Sequence, residues 1–185
     1  MTAANLLALV LILPVGALLL AGHIATHGIV DLARGFDGWI AGGRWVAGIA
    51  LGTVLHEALH GLAWKAASGV SWSSITFGFN WKAFAPYAHC RVPMPARAYR
   101  IGAAAPGLVL GLAPALVGVA TGWGMWTAFG FLFTVAAGGD AVTLWVLRRV
   151  PGAGLVEDHP TRAGCVVQAP LDAGVRTLIR NAQRG

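Results

Sequence analysis

The sequence predicts an all-α membrane protein of about four transmembrane helices, with a short β-hairpin on the cytoplasmic side between the second and third. Three observations predict it. Of 185 residues, 57% are hydrophobic and only 11% charged, against about 25% charged in an average soluble domain. Four apolar stretches, at about residues 4–22, 39–64, 103–121 and 123–147, are each long enough for a helix to cross the hydrocarbon layer. The basic residues collect at the edges of these stretches, where the membrane meets water.

The first stretch is read as a helix rather than a secretory signal. Met1-Thr-Ala-Ala-Asn5 has no positive n-region, and no clear small-residue cleavage site follows. The second runs from Trp39 to Trp64. Between Val70 and Val92 the character changes to β-formers, Val-Ser-Trp-Ser-Ser-Ile-Thr-Phe-Gly-Phe-Asn-Trp, which predicts a hairpin with its turn near Gly78 to Asn80. The third and fourth stretches join at Gly122. Gly48 and Gly52, and again Gly107 and Gly111, have the small-xxx-small spacing that lets helix backbones approach in lipid. The whole chain, 1–185, reads as a single integral-membrane domain with a tail at 148–185.

Loop charge sets the expected topology. Lys65, Lys82, Arg91, Arg97 and Arg100 lie in a segment without acidic residues, and the tail holds Arg148, Arg149, Arg162, Arg176, Arg180 and Arg184. Both segments belong in the cytoplasm by the positive-inside rule, so the chain is expected in the cell membrane, multi-pass, with both termini cytoplasmic. The net charge of +6 is therefore a membrane-edge pattern, and no nucleic-acid partner is expected. Cys90 and Cys165 are too few for a disulfide framework.

Residues 56 to 60 read His-Glu-Ala-Leu-His inside the second apolar stretch. Four residues apart on a helix, His56 and His60 project from one face and can reach one metal ion, with Glu57 beside them to act on a water held there. An ionised side chain in hydrocarbon costs roughly 2.5–3.5 kcal/mol on insertion scales, so a function has to account for these groups. Two histidines leave a catalytic zinc one protein ligand short. Asp140, His89, Glu157, Asp158 and His159 are the candidates, and depth favours Asp140. Counted from the basic residues at the cytoplasmic edge, His56 lies nine residues before Lys65 and Asp140 eight before Arg148, or ~12–14 Å deep in both helices. His89, with Tyr87 and Asn80 from the hairpin, is expected to touch substrate or transition state. His159, in Glu157-Asp-His-Pro160, reads as a turn residue. His23, His27 and Asp31 form a rival four-residue spacing, but no Glu stands beside it to act as base.

The combination of His56-Glu57-x-x-His60, Pro86-Tyr87-x-His89-Cys90, Ala105-Pro106-Gly107, Gly139-Asp140 and Asp158-His-Pro-Thr161 resembles the zincin-peptidase family of small bacterial membrane proteins, over roughly residues 45 to 170. It also looks like a distant, reduced relative of the site-2 intramembrane proteases, although no Asn-Pro-Asp-Gly surrounds Asp140. The resemblance implies zinc as cofactor, His56, His60 and Asp140 as ligands, and Glu57 as catalytic base. The expected activity is hydrolysis of peptide bonds in membrane or membrane-proximal proteins, with the lipid bilayer as the other partner. A non-catalytic metal-binding membrane protein, or a membrane scaffold, is the alternative.

Overall fold

In the computed structural model, residues 3–34, 36, 38–81, 85–159 and 164–168 are described. Lys82, Arg162, Arg176, Arg180 and Arg184, on which the topology reading partly rests, lie outside them, as does most of the tail. The architecture is mostly helical. Helix α1 (Ala3–His27) ends at Gly28, whose φ of 85° suits a residue without Cβ. Short α2 (Ile29–Arg34) leads to the long α3 (Gly38–Ser68). After the hairpin come α4 (Ala96–Pro106), a six-residue π-helical stretch (Gly107–Leu112) and α5 (Ala113–Thr121). Helices α6 (Gly124–Ala136) and α7 (Gly138–Leu147) complete the bundle.

Three helical segments are long and apolar enough to cross a membrane: Leu6–His27, Gly42–Ser68 and Ala96–Thr121. Helices α6 and α7, bent by 49° at their junction, make a fourth if the pair is taken as one span. The chain is a membrane protein by this measure. Its outward side chains agree, since Val10, Leu18, Val46 and Val54 are each more than 60% exposed, as residues facing lipid are.

Two of these boundaries differ from the hydropathy reading. The third span begins at Ala96 rather than near 103, because Ala96, Ala98, Tyr99 and Ala103 are buried on one side of α4 while Arg97 and Arg100 lower its average hydropathy. The fourth apolar stretch is two helices rather than one, and Asp140 sits in the first turn of the second.

Glycines set the helix spacing, as the small-xxx-small pattern predicts. A Cβ on Gly111 would stand 2.9 Å from the Thr134 backbone nitrogen, and one on Gly52 would stand 2.3 Å from the Phe133 ring. Gly107 meets Ala137 in the same way. The α5–α6 connection turns at Gly122, with φ of 78°, as expected.

The hairpin consists of β1 (Ile75–Asn80) and β2 (Ala85–Cys90), paired antiparallel with Gly78 opposite Tyr87. The expected turn at Gly78 to Asn80 is instead strand. Gly78 is there because the Tyr87 ring lies across it, with the hydroxyl 2.4 Å from where a Cβ would be. The hairpin folds back along α3: Ile75 and Phe77 lie against Gly61, and Ala88 reaches Glu57. Glu57 is eleven residues before the end of α3 at Ser68, or ~16 Å along it. Phe77, Phe79 and Trp81, which lead to the tip, are exposed.

A second sheet was not foreseen. Strand β4 (Leu155–Asp158) lies between β3 (Met94–Pro95) and β5 (Cys165–Val167), all antiparallel. Glu157 and Asp158 are therefore strand residues, contrary to the turn-like reading of that segment. The loop before β4 caps α4, through Ala96 N–H to Gly154 O and Arg97 N–H to Gly152 O. In return Arg100 donates to the carbonyls of Leu147 and Val150 at the end of α7, which satisfies orphan carbonyls with a cation. Trp64, Ile75, Cys90, Met94, Tyr99, Leu147 and Val156 pack together where these ends meet. Both cysteines are free thiols, and burial pushes each up from its ordinary pKa.

Candidate metal centre

The α-helical geometry of α3 brings the His56 and His60 rings to 5.0 Å between centroids. The nitrogen and oxygen donors of His56, Glu57 and His60 lie within 4.8 Å of one another, and among the described residues this is the group of three His, Cys, Asp or Glu donors that converges on one point. The other helix to reach it is α7. Asp140 Oδ2 stands 3.2 Å from His56 Nε2, and its Oδ1 stands 3.4 Å from His60 Nε2. The three side chains are 11%, 10% and 21% exposed, so water screens them little.

Hydrogen bonding orients the histidine that lies deeper in the protein. His60 Nδ1 is 2.9 Å from the carbonyl oxygen of Gly102. A carbonyl only accepts, so Nδ1 donates to it, and Nε2 is thereby turned to Asp140. The two histidine nitrogens face the two oxygens of one carboxylate, and two imidazoles with a carboxylate are donors of the kind zinc takes. The donor set therefore fits a zinc ion.

Gly102 has a second duty. A Cβ there would stand 2.1 Å from Trp64 Nε1, and Trp64 stacks on His60 with ring centroids 5.6 Å apart. Gly102→Ala is expected to displace the indole or α4, pull the carbonyl from His60, and weaken zinc binding about 10- to 100-fold. Destabilisation of about 1–3 kcal/mol should accompany it. Competition for zinc against a chromophoric chelator measures the change, and wild-type affinity would show that the carbonyl does not orient His60.

The site opens into a cleft of about 740 Å³. Glu57 lines it and accepts a hydrogen bond at Oε2 from the Ala88 N–H, 2.7 Å away. Asn80, Tyr87 and His89 also line it, as do Asp158 and His159. Glu157 is not part of the wall. Asp158 accepts from the Cys90 N–H at 2.7 Å and from the Tyr99 hydroxyl, and lies 3.6 Å from His89 Nδ1.

The rival spacing near the other end of α1 does not converge. Buried His23 meets Thr127 Oγ1 at 2.9 Å through Nδ1 and faces Asp31 at 3.7 Å through Nε2. His27 is taken by the Val119 carbonyl at 2.7 Å, and Asp31 is shared with Arg34.

Sequence reasoning missed Gly102, Trp64 and Tyr99 as parts of the site, and the Ala88 N–H. A backbone carbonyl or amide carries no residue signature. Tyr99 had one available signal: an aromatic hydroxyl beside Arg97 and Arg100, three residues that leave room for a helix with one buried face.

A family model described as "Putative zincin peptidase" matches residues 49–154. No curated protein and no solved structure matches the chain.

Proposed function

Since the chain belongs to the family described as "Putative zincin peptidase", we propose that it is a zinc-dependent peptidase of the cell membrane that cleaves membrane or membrane-proximal proteins. Both termini are cytoplasmic in this reading. The observation that carries it is the pairing of one carboxylate, Asp140, with the Nε2 atoms of both histidines, next to a glutamate at the base of a cleft.

His56, His60 and Asp140 would hold the metal. When bound, zinc supplies Lewis acidity, polarising a scissile carbonyl and making water a nucleophile at neutral pH. Glu57 Oε2 is held by the Ala88 N–H, which leaves Oε1 to take a proton from the attacking water. The same oxygen then returns that proton to the leaving amine nitrogen.

The substrate is an extended peptide. The N–H groups of Ala88 and Cys90 point away from β1 and are spent on the Glu57 and Asp158 carboxylates, so the outer edge of β2, which runs along the cleft, would take an extended peptide through its carbonyls, which accept from the peptide's N–H groups. Tyr87 and Asn80 line the same cleft and would contact the peptide's side chains. The exposed Phe77, Phe79 and Trp81, on a hairpin whose strands lie along a membrane-spanning helix, support access for substrates anchored in the bilayer.

The test uses full-length protein purified in detergent, with metal content by elemental analysis and cleavage of fluorescein-labelled β-casein. One zinc per chain and cleavage stopped by 1,10-phenanthroline are expected. A folded protein without zinc would refute the reading and leave a membrane scaffold as its replacement, and cleavage that survives chelation would refute the metal's part in it.

A further inference from the structure

We infer that Asp158 is a positioning residue that holds His89 and the edge of β2 over the cleft. The inference deepens the peptidase reading and rests on it. It concerns a residue outside the 49–154 segment that the family model matches.

Two hydrogen bonds and one close imidazole approach converge on this carboxylate from two elements, β2 and α4. The Cys90 N–H of β2 meets Oδ2 at 2.7 Å, the Tyr99 hydroxyl of α4 meets Oδ1, and His89 Nδ1 lies 3.6 Å from Oδ2. The Asp158 side chain is 10% exposed. A buried carboxylate costs several kcal/mol unless its lone pairs are satisfied, and here the donors that satisfy it line or support the wall of the cleft. Simple stapling of β4 to α4 would need only Tyr99.

Position in the strand says what the extra contacts accomplish. Residues 88 and 90 present their N–H groups to carboxylates, Glu57 on one side and Asp158 on the other. His89 lies between these two fastened peptide groups, so its backbone is held at both neighbours. With Nδ1 turned to Asp158, Nε2 is the ring nitrogen left for the cleft that His89 lines. That nitrogen is placed to meet the substrate's carbonyl oxygen as it gains negative charge. Asp158 touches no reacting atom. It acts through His89, as outer carboxylates orient functional imidazoles generally.

The experiment compares Asp158→Asn, His89→Gln and the double variant, in full-length zinc-loaded protein in detergent. Three quantities are read: zinc per chain, the ring ¹⁵N resonances of His89, identified by their loss in His89→Gln, and kcat and KM on fluorescein-labelled β-casein. Asp158→Asn should keep its zinc, move the His89 ring resonances, and lower kcat about 10- to 100-fold with KM changed less than about threefold. The double variant should be no slower than His89→Gln alone, because both changes remove one function. Unmoved ring resonances in folded Asp158→Asn would overturn the inference, as would additive losses in the double variant. If Asp158→Asn does not fold, Asp158→Glu keeps the charge but shifts it by a methylene, and the same resonances must move. If wild type cleaves no casein, the peptidase reading fails by that assay, while the resonances still decide whether Asp158 positions His89.

Discussion

Glu57→Gln is expected to keep one zinc per chain and to cut turnover by about 10²- to 10⁴-fold, the usual worth of a positioned general base. That loss corresponds to about 3–5 kcal/mol of barrier. The amide is nearly isosteric and retains an oxygen to accept the Ala88 N–H that now meets Oε2 at 2.7 Å, so the hairpin has no reason to move. What it lacks is an oxygen able to take and return a proton. Single-turnover cleavage of labelled β-casein, beside elemental analysis of the same preparation, separates the two effects. Wild-type turnover in a protease-free preparation would remove Glu57 as base. Zinc lost along with turnover would make Glu57 a ligand instead.

Asp140→Ala should abolish zinc binding, an effect larger than the 10- to 100-fold that an outer-shell change produces, and with it all cleavage. Two geometric facts compete over this residue. Asp140 faces both Nε2 atoms at 3.2 and 3.4 Å, whereas the tightest donor trio is His56, Glu57 and His60. The first is the better guide, because Glu57 already spends one oxygen on the hairpin and is needed as a proton carrier. Zinc measured in dialysed Asp140→Ala decides the matter. Its retention would mean that Glu57 completes the ligand set, and the base would then have to be sought elsewhere in the cleft.

The parts legible in the sequence are those that local periodicity controls. His56, Glu57 and His60 need only the rise of one helix to come together, and the apolar stretches need only length. Asp140 required one further step, a comparison of depth in two helices. The beginning of the third span was hidden because Arg97 and Arg100 share a turn with buried Ala98 and Tyr99, and an average over the window sees only the mean. Arg100 is there to cap α7, a pairing that exists only in three dimensions. Strands β3, β4 and β5 are two to four residues long, too short for alternation to register, and β3 pairs with β4 across some 60 residues. The carbonyl of Gly102, which orients His60, could not be read from any side chain.

The break between α6 and α7 has an electrostatic consequence. Because the helix restarts at Gly138, Asp140 is the third residue of a new helix, where the unpaired N–H groups concentrate about half a positive charge. An unbroken span would have put the same carboxylate in mid-helix, where its neighbouring N–H groups are spent on the turn before. The 49° bend thus gives the carboxylate a helix end as its neighbour, where ten residues' peptide dipoles begin, in place of the spent backbone of a continuous helix.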